Sequence, residues 1–188
     1  MALPPDDYKK FIISYQKILH FSAKRNKIIS ARMSFEKFLL SDFQTKAQAR
    51  MHLVESNNLV DEYEYENREN LTNYDISLIN NFKRRIYGEF LLFKCIKDYG
   101  IFYEYCSKNF YQVHPINDPF DKFAHNLPAN VKTTIFPYKN KLITDGMIEL
   151  PKKKFTDNFI KEVSELYMLT RIDNKIIKNY EGLMESKN

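Results

Sequence analysis

Four residues in one short stretch carry groups able to do acid–base or metal chemistry: His114, Asp118, Asp121 and His125. Two imidazoles and two carboxylates this close could make a general acid/base pair or bind a divalent metal. Chain position supplies a second reading. Asp118 precedes Pro119 as a helix N-cap would, Asp121 falls in the first turn after it, and His125 with Asn126 suits a helix end. Capping accounts for the whole set, so no catalytic residue, metal ligand or cofactor is assigned. The four stay as candidates for an alternative reading, a small nuclease or hydrolase with or without a metal.

Other chemistries are excluded by composition. With 4 Gly in 188 residues the chain contains no GxGxxG, no GxxxxGK[ST] and no GxSxG, so a glycine-rich phosphate loop is out. It has no HExxH and no HxE with paired cysteines, which removes the usual zinc hydrolase and deaminase sites. Cys95 and Cys106 flank an expected hairpin turn. They are expected to be reduced thiols, with a cross-strand disulfide as the other reading, and they are too few for a zinc ribbon.

The basic side chains suggest binding. Lys24, Arg25, Lys27 and Arg32, with Lys83, Arg84 and Arg85, are expected to form a phosphate-facing surface that Lys152, Lys153 and Lys154 extend. Tyr103, Tyr105, Phe110, Tyr111 and Tyr138 could stack on unpaired bases, although alternate strand positions must face inward, which favours a core role. The net charge of +5 conceals a segregation. Residues 1–54 carry ten Lys/Arg against four Asp/Glu, residues 55–75 carry Arg68 against seven acidic residues, and residues 76–188 carry 18 against 13. Such polarity points to nucleic acid or a charged protein surface as the partner. The acidic stretch, in which Tyr63 and Tyr65 alternate with Glu62, Glu64 and Glu66, reads as a solvated loop between helices. Its other reading is a nucleic-acid mimic or a dock for a basic partner.

The elements that position these groups follow from the helix breakers. After Pro4 and Pro5 the next Gly or Pro is Gly88, so residues 6–87 read as helical. Tyr8, Phe11, Ile12, Tyr15, Ile18 and Leu19 give one helix to about residue 26, with Asp6 and Asp7 in its first turn. Further apolar faces lie on Phe35, Phe38 and Leu39, on Ala47, Met51 and Val54, and over residues 75–86. From Gly88 the period becomes strand-like. Residues 89–97, 101–106 and 109–114 read as a meander, 118–126 as a short crossover helix, and 131–136 and 141–148 as two more strands. Thr156 caps a last amphipathic helix carrying Phe159, Ile160, Val163, Leu166 and Tyr167. The expected fold class is α+β: N-terminal helices (1–87), then an antiparallel sheet of about five strands with a C-terminal helix (88–188), the two forming one compact unit.

The longest apolar run is four residues, Phe90 to Phe93, and the sequence opens on Met-Ala-Leu-Pro-Pro-Asp-Asp. No membrane span and a cytoplasmic location are therefore expected. Residues 127–148, from Leu-Pro-Ala-Asn-Val-Lys through Ile-Phe-Pro-Tyr-Lys-Asn-Lys to Thr-Asp-Gly-Met-Ile, resemble a segment of uncharacterised small bacterial proteins. In those a strand ends in Pro-Phe-Lys-Gly-Lys and a short strand leads to Asp-Gly. The resemblance spans about residues 89–150, departs at Tyr138 and Asn140, and implies no activity. The leading expectation is a non-catalytic binding protein. Besides the hydrolase, the remaining alternative is a homo-oligomeric assembly module joined through the aromatic face of Phe11, Tyr15 and Ile18.

Overall fold

The computed structural model describes residues 3–185. The chain is α+β and divides into two units, Pro4–Arg85 and the residues from Ile86 onward, which also include Leu3. Leu3 joins the second unit because its N–H donates to the Ile116 carbonyl at 3.2 Å.

The first unit is helical. It comprises α1 (Pro5–Arg25), α2 (Phe35–Leu39), α3 (Phe43–Glu55), α4 (Asn58–Asn67) and α5 (Asn73–Phe82), with a 3₁₀ turn at Arg68–Asn70. Pro5 opens α1, where its missing N–H costs no hydrogen bond, and Asp6 and Asp7 sit at the positive end of the helix. Phe11, Tyr15, Ile18 and Leu19 are buried in the unit's own core, so this face is not offered to a second copy. The α2 and α3 faces are separate helices because Asp42 caps α3, its side chain accepting from the Thr45 N–H at 2.7 Å. Thr72 and Asp75 form a reciprocal capping box at α5. Asp75 is buried and also accepts from the Ser14 hydroxyl of α1 at 2.5 Å, tying the two helices together.

The acidic stretch is where sequence and structure part. Residues 58–67 are the helix α4, not a solvated loop. Val60 and Tyr63, three apart, turn inward. The carboxylates then fall on two flanks, Glu62 and Glu66 on one and Asp61 and Glu64 on the other, and each flank meets a cation: Arg25 pairs with Glu62 and Glu66, Lys83 with Asp61 and Glu64. Charges separated along the sequence are interleaved in space.

The second unit is a closed five-strand barrel of β1 (Ile86–Ile96), β2 (Tyr99–Glu104), β3 (Phe110–His114), β4 (Ala129–Tyr138) and β5 (Lys141–Thr144), in the order β1-β2-β3-β5-β4. All pairings are antiparallel except β3 with β5, which run parallel through Val113–Leu142 and His114–Ile143. That parallel pair converts the expected antiparallel sheet into a barrel. Phe90, Leu92, Phe102, Tyr111, Val113, Val131, Ile135 and Leu142 fill its core. Between β3 and β4 the crossover holds only a three-residue 3₁₀ turn, Phe120–Lys122. After β5, Gly146 takes φ +83°, where a Cβ would also collide with Ile116. Beyond it Glu149 bridges back to Lys132 of β4.

Leu91, Phe93, Ile101, Tyr103 and Phe110 form a second cluster on the outside of β1–β3, covered by α6 (Asp157–Ile172) through Val163 and Tyr167. These strands are buried on both faces, which explains the unbroken Phe90–Phe93 run. Ile177 pairs with β3 beside Tyr111, and Leu183 of α7 (Tyr180–Glu185) enters the barrel core.

Candidate functional site

Among the expected basic clusters, Lys152–Lys154 lies in the most open setting. The three lysines stand on the extended connector into α6, all exposed. With Lys161, one turn into the helix, Lys153 and Lys154 border a broad groove of about 770 Å³ whose wall includes Phe155 and Pro128. The helix begins here because Thr156 caps it, accepting from the Phe159 N–H at 3.3 Å. Lysines at this end stand where the helix dipole disfavours cations, so both the dipole and the ammonium groups raise the local positive potential. Asp157 is the one carboxylate among the lining residues. Among the described residues none of Lys152, Lys154 and Lys161 is in an ion pair.

Aromatics of the connector and the helix pack on one another beside the groove, which Phe155 lines. Phe155 stacks on Phe159 with centroids 5.5 Å apart at 19°, and Phe159 packs against Tyr105. The Lys153 ammonium sits 4.1 Å over the Tyr105 ring. The Tyr105 hydroxyl donates to Asn130 Oδ1 at 2.7 Å, and Asn130 Nδ2 donates to Glu89 Oε2 at 3.2 Å. Burial, with Glu89 second, pushes the Tyr105 hydroxyl far above its ordinary pKa, so it remains a donor at neutral pH.

The other expected basic residues belong to the helical unit and serve different ends. Arg25 and Lys83 are neutralised by α4 as described. Burial pulls the Lys83 pKa down, but hydrogen bonds to Asp61 and Glu64 outweigh it and leave the pKa raised. Arg85 is drawn inward: it donates to Asn57 Oδ1 and to the Leu53 and Ser56 carbonyls and lies 4.7 Å over the Phe82 ring. Arg84 is half-buried beside it. Lys24 lines a cavity inside the helical unit. Lys27 and Arg32 are exposed on the α1–α2 connector. Of the aromatics proposed for stacking, Tyr103, Phe110, Tyr111 and Tyr138 are buried; Tyr105 alone is part-exposed.

Among the described residues, His114, Asp118, Asp121 and His125 make no hydrogen bond or ion pair with one another. Asp118 pairs with Lys122 instead of capping, since the residue before the 3₁₀ turn is Pro119 and makes no side-chain cap. His125 is exposed. His114 is half-buried within 3.3 Å of the Gln112 amide, and burial followed by Lys141 lowers its pKa. Asp121 lies by Cys95 at a cleft of about 50 Å³. Burial and then Asp121 push the Cys95 thiol up to about 11, which leaves it protonated at neutral pH. Among the described residues no group of three or more His, Cys, Asp or Glu is placed to hold a metal ion. Both cysteines are free. Cys95 pairs with Gly100, six residues before Cys106, so at about 3.3 Å per residue the two thiols are separated along the barrel.

Sequence reasoning missed Lys161, which looked like one more solvated helix lysine. Its position one turn after Asp157 was the available clue. No family model matches the chain, and no curated protein or solved structure matches it.

Proposed function

We propose that the protein is a non-catalytic, cytoplasmic binding protein that takes single-stranded nucleic acid into the lysine groove at the head of α6. One observation carries the reading: Lys153, Lys154 and Lys161 border one open groove with Phe155. Phosphates call for ammonium groups free of internal carboxylate partners, and unpaired bases call for an aromatic surface beside them.

Topology supports this. The order β1-β2-β3-β5-β4 with β3 and β5 parallel coincides with that of five-stranded Greek-key barrels of the OB type, which commonly bind oligonucleotides or oligosaccharides on the β2–β3 face. Fold alone assigns no function, and in this chain part of that outer face is covered by α6. The proposed site is therefore displaced to the groove beside the covering helix. Among the described residues no helix is long and apolar enough to cross a membrane.

The test is a salt titration of a fluorescent 12-nucleotide single strand. Three phosphate contacts should weaken affinity by about 15–20-fold between 50 and 200 mM salt. No detectable binding at 50 mM salt overturns the proposal, and binding to an acidic protein surface instead would then be the charge-based reading left.

A further inference from the structure

The helical unit contains a cavity of about 350 Å³ that the nucleic-acid reading does not use. It opens along one stripe of α1. Lys17, His20, Phe21 and Lys24 recur at three- and four-residue spacing, so they stand one above the next. The opposite wall brings Tyr63 and Asn67, four apart on α4. Its volume is at the small end of the range for small-molecule sites, about 300–1,000 Å³, which suits one ring system with one charged group.

Its chemistry is uneven in a specific way. Phe21 and Tyr63 meet edge-on with centroids 5.4 Å apart, giving a rigid aromatic corner. Lys17 and Lys24 supply two ammonium groups, neither in an ion pair among the described residues, and the lining residues include no carboxylate. His20 Nε2 lies 3.0 Å from the Met33 carbonyl oxygen. That oxygen can only accept, so Nε2 carries the proton and Nδ1 is left as an acceptor. Burial lowers the ring's pKa, opposed by the Met33 hydrogen bond and then Glu36 and aided by Lys24.

From the aromatic corner and paired lysines we infer a binding site for a small planar aromatic anion of the nucleoside monophosphate class. Its ring would lie against Phe21 and Tyr63, and its phosphate would face Lys17 and Lys24. The Asn67 Nδ2 already donates to the Tyr63 carbonyl at 2.9 Å, which leaves Asn67 Oδ1 to accept from an amino group on the ring. The site is independent of the lysine groove, being built wholly from the other unit's residues.

Isothermal titration of the full chain with adenosine 5′-monophosphate should show saturable one-site binding. Adenosine and inorganic phosphate should each bind at least about tenfold more weakly. The amide signals of His20, Phe21 and Asn67 should shift in the same titration. Lys17→Ala with Lys24→Ala, checked as folded by circular dichroism, should weaken the nucleotide about tenfold or more while leaving the 12-nucleotide strand bound as before. No binding of any of the four common monophosphates at about 5 mM overturns the inference. So does binding that the double variant leaves unchanged, or shifts confined to the barrel unit. Equal binding of phosphate alone would also overturn it, because the aromatic corner would then be idle.

Discussion

Asp75 shows how much a single carboxylate can hold in the helical unit. It accepts from Thr72 at the start of α5 and from Ser14 of α1 while 4 % exposed. Burial alone would raise its pKa, but these hydrogen bonds outweigh it and the pKa is lowered. Asp75→Ala removes the cap partner and strands the Ser14 hydroxyl, at a cost of about 2–3 kcal/mol in chemical denaturation. His20 sets a pH dependence of the opposite charge type. Its folded pKa lies below the ordinary 6.5, so the unfolded chain takes up the proton first. The contribution of His20 to stability is fully present above about pH 6.5 and is lost on acidification through the window down to the lowered value. His20→Gln should flatten the loss between pH 7.5 and 5.5 in thermal unfolding; an unchanged pH slope would contradict this assignment.

At the scale of elements, most of the chain was legible because most of its periodicities are one-sided. α1 and α6 follow directly from apolar residues at three- and four-residue spacing with Asp6, Asp7 and Thr156 at their starts. The five strands follow from the switch at Gly88. What escaped has a physical cause. α4 buries only Val60 and Tyr63, so its apolar face is too thin to outweigh four acidic residues in a sequence reading; Arg25 and Lys83, 37 and 19 residues from Glu62 and Glu64, make the helix tenable. The pairing of β3 with β5 rests on two residue pairs and leaves no local trace. Lys83 accordingly acts in the fold. Lys83→Ala should cost about 1 kcal/mol at low salt, less at 1 M salt, and should leave oligonucleotide affinity unaltered.

For the molecule as a whole, basicity divides into two kinds. In the helical unit Arg25 at the end of α1 and Lys83 just after α5 answer to α4, and in the barrel unit Lys152, Lys154 and Lys161 at the head of α6 are in no ion pair among the described residues. The groove was half legible: Lys152–Lys154 stood out as a run, whereas Lys161 and the shielding of the β1–β3 face by α6 needed three dimensions. The proposed function turns on those lysines, and so does its sharpest test. Lys153→Glu, Lys154→Glu and Lys161→Glu together should lower the affinity for a 12-nucleotide single strand at 50 mM salt by about 100-fold or more and reduce the salt slope by about 2. Affinity and slope that stay at the wild-type values in the folded triple variant would contradict the account.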